Sequence, residues 1–254
     1  MTMPPALAIG TLTPGWPAPA NVRAAFTLRG GGASAAPFDS LNVAAHVEDD
    51  PAAVSENRRR VRAALLLPAE PLWLNQVHGA QVLDLDAASS DWKRAATADA
   101  VITRRAGQVC AVQVADCLAV LLAVEDGSAV AAAHAGWRGL VAGVLEAVVM
   151  RLGVAPQRLM AWLGPAIGPR HFEVGEEVRS AFVARAAEAA VAFSANARGR
   201  WQCDLPALAR QRLAALGVNA VYGGDECTYA DAARFFSFRR DGRCGRMAAL
   251  VWKC

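Results

Sequence analysis

The chain has 254 residues, 54% of them hydrophobic and 19% charged, which is enough apolar matter for one sizeable core and too much for a disordered chain. The formal charge of +3 comes from scattered basic residues, not the basic stripe of a nucleic-acid binder. No apolar run approaches the ~20 residues that cross a bilayer, and residues 1–8 lack the charged start of a secretory signal, so a cytoplasmic protein with neither membrane nor nucleic-acid partner is expected.

In chain order, residues 1–20 read as a loosely ordered tail, and residues 1–254 as a single domain. Residues 22–28 form an expected strand that runs into Gly30, Gly31 and Gly32. Asp50 and Pro51 are suited to the cap and first position of a helix, with Val54, Val61 and Leu65 near one face. Residues 72–77 are apolar enough for a buried strand, and 83–86 alternate as a half-exposed one does. Three short apolar runs follow at 100–103, 109–114 and 118–124. Glu125-Asp126-Gly127 then predicts a hairpin returning along 129–133. Helices are expected over 140–152, 176–190 and 205–216, with strands over 159–163, 218–222 and 247–252. The predicted class is α+β, a mixed β-sheet core flanked by helices.

Six cysteines contain no C-x-x-C pair, and there are four histidines, His46, His78, His134 and His171. His78, Cys117 and His134 each fall where an apolar run meets a loop. Their spacings of 39 and 17 residues exclude a zinc-finger loop but suit a site assembled by the fold. Two imidazoles and a thiolate make a good ligand set for Zn²⁺ with one position left open. The same residues fit a metal-free arrangement, with Cys117 as nucleophile, His134 as its base and Asp116 or Gln76 orienting it. Buried core residues are the bland alternative to both.

Other polar features are weaker. Arg29 and the glycines after it can present backbone N–H groups and a charge to an anion, or make a plain turn. Asn42 can bond a ligand or cap a turn. Phe238 and Arg239, after Phe235-Phe236-Ser237, can stack a flat base and hold an anion, or end a strand in a solvated turn.

Three segments resemble the signatures of one family: Asn75-Gln76-Val77-His78-Gly79, Ala115-Asp116-Cys117-Leu118, and Ala133-His134-Ala135-Gly136-Trp137-Arg138-Gly139. It is the laccase-domain family, known in bacteria as multicopper polyphenol oxidase-like or purine nucleoside phosphorylase proteins. Further matches at 29–32, 40–43, 162–169, 172–175, 227–228 and 235–248 extend the resemblance over most of the chain.

The resemblance implies Zn²⁺, in preference to copper, held by His78, Cys117 and His134, which are also the catalytic candidates. It implies phosphorolysis of adenosine, inosine, guanosine or methylthioadenosine to free base and ribose 1-phosphate, with adenosine deamination in the same site. Purine nucleoside and phosphate are then the partners, and a homo-oligomer is compatible. Substrate-binding candidates are Arg29, Asn42, Gln76, Arg138, Phe238 and Arg239. Competing expectations are a copper-dependent phenol oxidase, a metal-free Cys/His hydrolase and a peptidoglycan-precursor editing factor. Four histidines are too few for a multicopper cluster.

Overall fold

The computed structural model describes residues 9–87 and 96–254. The first strands are β1 (Thr11–Leu12) and β2 (Val22–Thr27), followed by helix α1 (Pro51–Ala64). Strands β3 (Val82–Asp84), β4 (Ala100–Thr103), β5 (Val109–Val114), β6 (Leu118–Val124) and β7 (Val130–Ala135) come next, then helices α2 (Trp137–Ala142) and α3 (Val144–Leu152). Beyond them lie β8 (Leu159–Leu163), β9 (Glu173–Val174), α4 (Glu176–Val183), β10 (Phe193–Ala195), β11 (Trp201–Cys203), α5 (Leu205–Ala215), β12 (Ala220–Gly223), α6 (Phe238–Asp241) and β13 (Met247–Lys253).

Two sheets pack face to face. One is antiparallel, in the order β1-β2-β13-β5; the other is mixed, in the order β12-β8-β6-β7-β4-β3, with its β12–β8 and β3–β4 pairs parallel. Alternation along the strands builds the layers. Met247, Ala249 and Val251 of β13 face the inter-sheet core with Phe26, Val112, Leu121 and Ala132, whereas Ala248, Leu250 and Trp252 pack with Val61 of α1 on the outer side. Every residue of β6 is buried, because Leu118, Val120, Leu122 and Val124 meet α3 and α5 while Ala119, Leu121 and Ala123 meet the other sheet. A strand covered on both faces reads as a continuous apolar run, and this one does. The class is therefore the expected α+β, a mixed sheet core flanked by helices.

Several elements differ from expectation. The tail expected to be loosely ordered carries β1, with Thr11 and Leu12 paired to Thr27 and Phe26; residues 1–8 lie outside the described residues. The run 72–77 is not a strand but a loop with one bridge, Asn75 to Thr97. Trp73 and Leu74 bury there as core side chains without a ladder partner. The helix expected over 140–152 is two helices, broken at Gly143, which ends α2 and opens α3 at φ 91°. That backbone conformation comes at low cost only to glycine. The helix expected over 176–190 stops at Val183; a 3₁₀ segment, Ala187–Ala192, then turns Ala189 and Ala192 onto the core. No helix among the described residues is long and apolar enough to cross a membrane.

Candidate metal centre

The β6–β7 hairpin sets the first two ligands. Leu118 pairs with Ala135 and Ala119 with His134, so Cys117, just before β6, lies beside the end of β7. Gly136 follows, and a Cβ there would sit 2.8 Å from Cys117 Sγ. Only glycine permits so close an approach. His78 arrives from the loop after residue 77, and its ring centroid lies 4.7 Å from that of His134. The ligand atoms of His78, Cys117 and His134 all fall within 4.8 Å of one another. Among the described residues this is the one cluster of three or more side chains of ligand type. The donor set, two imidazoles and a thiolate, suits Zn²⁺, whose bonds to such donors are ~2.0–2.3 Å.

A fully buried carboxylate, Asp99, organises the cluster. It accepts hydrogen bonds from the backbone N–H groups of Val77 (3.2 Å), His78 (2.8 Å) and Gly79 (2.7 Å), and His134 Nδ1–H donates to it at 2.8 Å. Fixing Nδ1 this way leaves Nε2 of His134 to face the cluster. The same contacts hold His78 at φ 61°, a left-handed conformation unusual for histidine. Burial pushes the Cys117 thiol up, but the charge and hydrogen bonds of His134, with His78 behind them, outweigh it and bring it down to about 6. Burial likewise opposes protonation of His134, yet the Cys117 thiolate and Asp99 raise it to about 9. The thiols of Cys110 and Cys203, buried without such neighbours, are pushed up.

Two cavities meet at this cluster. One, of about 320 Å³, is lined by Trp137, Ile167, Phe172 and Leu205, with Arg138 and Arg239 at its polar side. The other, of about 210 Å³, is lined by His46, Gln76, Gln113 and Arg246. Both share His78, Ala115, Cys117 and Phe238. Phe238 is 58% exposed, an aromatic face left open between them.

The expected substrate-binding residues divide accordingly. Phe238 borders both cavities, and Arg138, stacked on Trp137 at 4.5 Å, borders the larger with Arg239. Phe238 opens α6 where a strand end was the alternative. Gln76 lines the smaller cavity, but its amide is spent on the backbone N–H (2.7 Å) and carbonyl (2.9 Å) of Gln113. Arg29 lines neither cavity: its guanidinium donates to the carbonyls of Asp39 and Ala232 and lies over Phe236. Asn42 is buried and lines neither; it bonds Ala44, Asp49 and the backbone N–H of Arg246. Asp116 is not an orienting group for a Cys–His pair, since its carboxylate accepts from Thr228 Oγ1 and the backbone N–H of Arg239, both at 2.6 Å. Asp99 fills that role, and sequence reasoning passed over it. Its signal is faint, one acid between alanines immediately before an apolar run. His46 carried no signal beyond the scarcity of histidine, and Arg246 none beyond its place in the matching segment 235–248.

A family model described as multi-copper polyphenol oxidoreductase laccase matches residues 23–254. The chain is 57% identical over 242 residues to a purine nucleoside phosphorylase of Pseudomonas aeruginosa, covering 95% of this chain and 97% of that one. It is 52% identical over 241 residues to the purine nucleoside phosphorylase YfiH of Escherichia coli, covering 95% and 98%. Among solved structures, a Neisseria meningitidis protein superposes with a TM-score of 0.91 at 46% identity, covering 96% of this chain and 98% of that one. YlmD from Geobacillus stearothermophilus does so with a TM-score of 0.89 at 33% identity, covering 96% of each.

Proposed function

Because the chain belongs to the family described as multi-copper polyphenol oxidoreductase laccase, we propose that it is, like the relatives named so, a purine nucleoside phosphorylase, working with one Zn²⁺ held by His78, Cys117 and His134. Adenosine, inosine, guanosine and methylthioadenosine are its substrates, and adenosine is also deaminated in the same site. The observation that carries this reading is the single His₂Cys cluster at the junction of two cavities. Two cavities opening on one such cluster suit a two-substrate displacement, whereas multicopper oxidation needs several clustered ions.

In phosphorolysis a phosphate oxygen bonds to ribose C1′ while the C1′–N9 bond breaks. The electron pair leaves with the purine, which takes up a proton. When bound, the zinc supplies Lewis acidity, polarising the purine or acidifying a water. The chain supplies the rest. Phe238 offers a face on which a purine stacks, and Arg138 and Arg239, the latter lying over the Phe172 ring, face the same cavity as hydrogen-bond donors. Asp99 keeps His134 in one tautomer and keeps the His78 loop in place. The apolar wall of Ile167, Phe172 and Leu205 limits water around the departing base.

The test is metal analysis of the purified protein together with product analysis after incubation with adenosine and phosphate. About one zinc per chain, with adenine, ribose 1-phosphate and some inosine, is expected. Phenol oxidation that tracks stoichiometric copper, without nucleoside cleavage, would replace this reading by the oxidase one. A metal-free hydrolase is the second reading, because Cys117, His134 and Asp99 also form a thiol–imidazole–carboxylate relay. It requires full activity after zinc is stripped.

A further inference from the structure

We propose that the cavity between His46 and Arg246 is an oxyanion subsite that seats inorganic phosphate, while the purine occupies the larger cavity on the other side of Phe238. The proposal rests on the phosphorolysis reading for its chemistry, and on four observations for its place.

The first is size and position. At about 210 Å³ the cavity is below the ~300–1,000 Å³ of sites that enclose drug-sized molecules, whereas its neighbour, at about 320 Å³, is within that range. Both open on His78 and Cys117, so occupants of the two meet at the cluster.

Charge is the second. The ionisable lining consists of His46, His78, Cys117, His134 and Arg246, with no carboxylate among the described lining residues. Desolvation first, then the charges of Arg246 and Arg58, hold the His46 imidazole below its ordinary value.

The third is unused bonding capacity. Arg246 Nη1 donates to the carbonyls of Cys244 (2.8 Å) and Gly245 (3.0 Å); among the described residues its Nε and Nη2 have no hydrogen-bond acceptor. A guanidinium tethered at one corner with two donors free presents the planar fork that fits two phosphate oxygens.

The fourth is rigidity. Buried Asn42 accepts from the backbone N–H of Arg246 (2.9 Å) and of Ala44 (3.0 Å), and donates to Ala44 O and Asp49 Oδ2, so one side chain ties the His46 loop to Arg246. Asn57 holds the Asn42 carbonyl at 2.8 Å, and Arg58 Nε holds that of Val43 at 2.9 Å. A Cβ at position 245 would fall 2.6 Å from the Phe236 ring, so Gly245 lets this loop close. The backbone just before His46 and that of Arg246, from opposite ends of the chain, are thereby joined before any ligand arrives, which lowers the cost of binding.

In the reaction, phosphate seated here forms the new bond to C1′. The glycosidic electron pair leaves with the purine on the far side of Phe238, and the proton of monohydrogen phosphate, or its equivalent from solvent, ends on the base.

The test titrates inorganic phosphate calorimetrically into the zinc-loaded wild-type protein and into the Arg246→Gln, His46→Gln and Arg239→Gln variants, with zinc content and melting temperature checked for each. Loss of a charge-assisted pair of bonds predicts at least ~tenfold weaker phosphate binding for Arg246→Gln. His46→Gln should weaken it severalfold, and Arg239→Gln less than about threefold. In turnover, Arg246→Gln raises KM for phosphate by the factor seen in binding and changes KM for nucleoside less than about threefold. Wild-type phosphate affinity in both Arg246→Gln and His46→Gln overturns the subsite. So does a wild-type protein that binds adenosine 5′-monophosphate through Arg246 but no free phosphate, which would assign the cavity to a phosphate carried by the substrate. If free phosphate binds as described but adenosine releases no adenine, the subsite stands and the phosphorolysis reading falls.

Discussion

Asp99 and His134 are joined twice. The backbone N–H of His134 donates to the Asp99 carbonyl at 2.7 Å, and its Nδ1–H donates to the Asp99 carboxylate at 2.8 Å. The main-chain bond belongs to the β4–β7 edge; the side-chain bond belongs to the site. One residue therefore links sheet register to ligand orientation.

Asp99→Asn should keep the shape but lose the charge and one acceptor, lowering zinc affinity by ~10–100-fold, the usual cost of removing a ligand's supporting partner. Asp99→Ala goes further, stranding three backbone donors and an imidazole, at ~1–3 kcal/mol for each that stays buried. A competitive chelator titration measures the first effect and calorimetric unfolding the second. Wild-type values in both would remove Asp99 from the site.

Cys117→Ser should sharply lower zinc content while the circular dichroism spectrum stays that of the wild type. A hydroxyl is a poor replacement for thiolate at zinc, and a centre of this kind seldom carries the stability of a core this large. Zinc measured by mass spectrometry at full occupancy in this variant would show that the ligand assignment is wrong.

Stripping zinc should expose a reactive thiol. Iodoacetamide is expected to modify Cys117 slowly in the loaded protein and much faster after chelation, while Cys110 and Cys203, buried and pushed up, stay slow throughout. Peptide mapping separates the sites. Equal Cys117 rates with and without chelator would favour the metal-free relay.

Gly136→Ala places a methyl 2.8 Å from Cys117 Sγ. The thiolate must move, so zinc affinity should drop at least ~tenfold, equivalent to ~1.4 kcal/mol, although the residue ligates nothing. Unchanged affinity would mean that the cluster has more slack than its geometry indicates.

Arg29→Ala should act on stability and not on phosphate. Its two bonds to the Asp39 and Ala232 carbonyls are worth ~1–3 kcal/mol together. The expected result is a lowered melting temperature with an unaltered KM for phosphate; a raised KM would return Arg29 to the site.

The hairpin that carries Cys117 and His134 was legible because Glu125-Asp126-Gly127 separates two apolar runs, and both strands form as expected. The candidate metal ligands stood out because histidine is rare here and each candidate closes or precedes such a run. What the sequence hid was local geometry imposed from a distance. Gly143 reads as one weak helix residue until its left-handed backbone splits the helix. Residues 72–77 have a strand's composition, but Gln76 turns its amide onto Gln113 and the segment stays a loop. Arg29 beside three glycines has the look of an anion loop, and tertiary carbonyls absorb its donors instead. Asn42, Asp99, His46 and Arg246 take their roles from partners up to 204 residues away, a relation no local pattern encodes.

The origin of the three proposed zinc ligands would also order assembly in time. Cys117 and His134 come together as soon as one hairpin closes, a short loop to shut. Among the described residues the His78 backbone is held by Asp99, and Asp99 sits at the start of β4, where Ala100 pairs with Ala133 of β7. On the zinc reading a nascent chain would have a two-pronged grip on the ion early and a three-pronged one once β4 has docked. Tight zinc capture would then time that docking, and a zinc-sensitive dye followed during refolding would read the arrival of β4 directly.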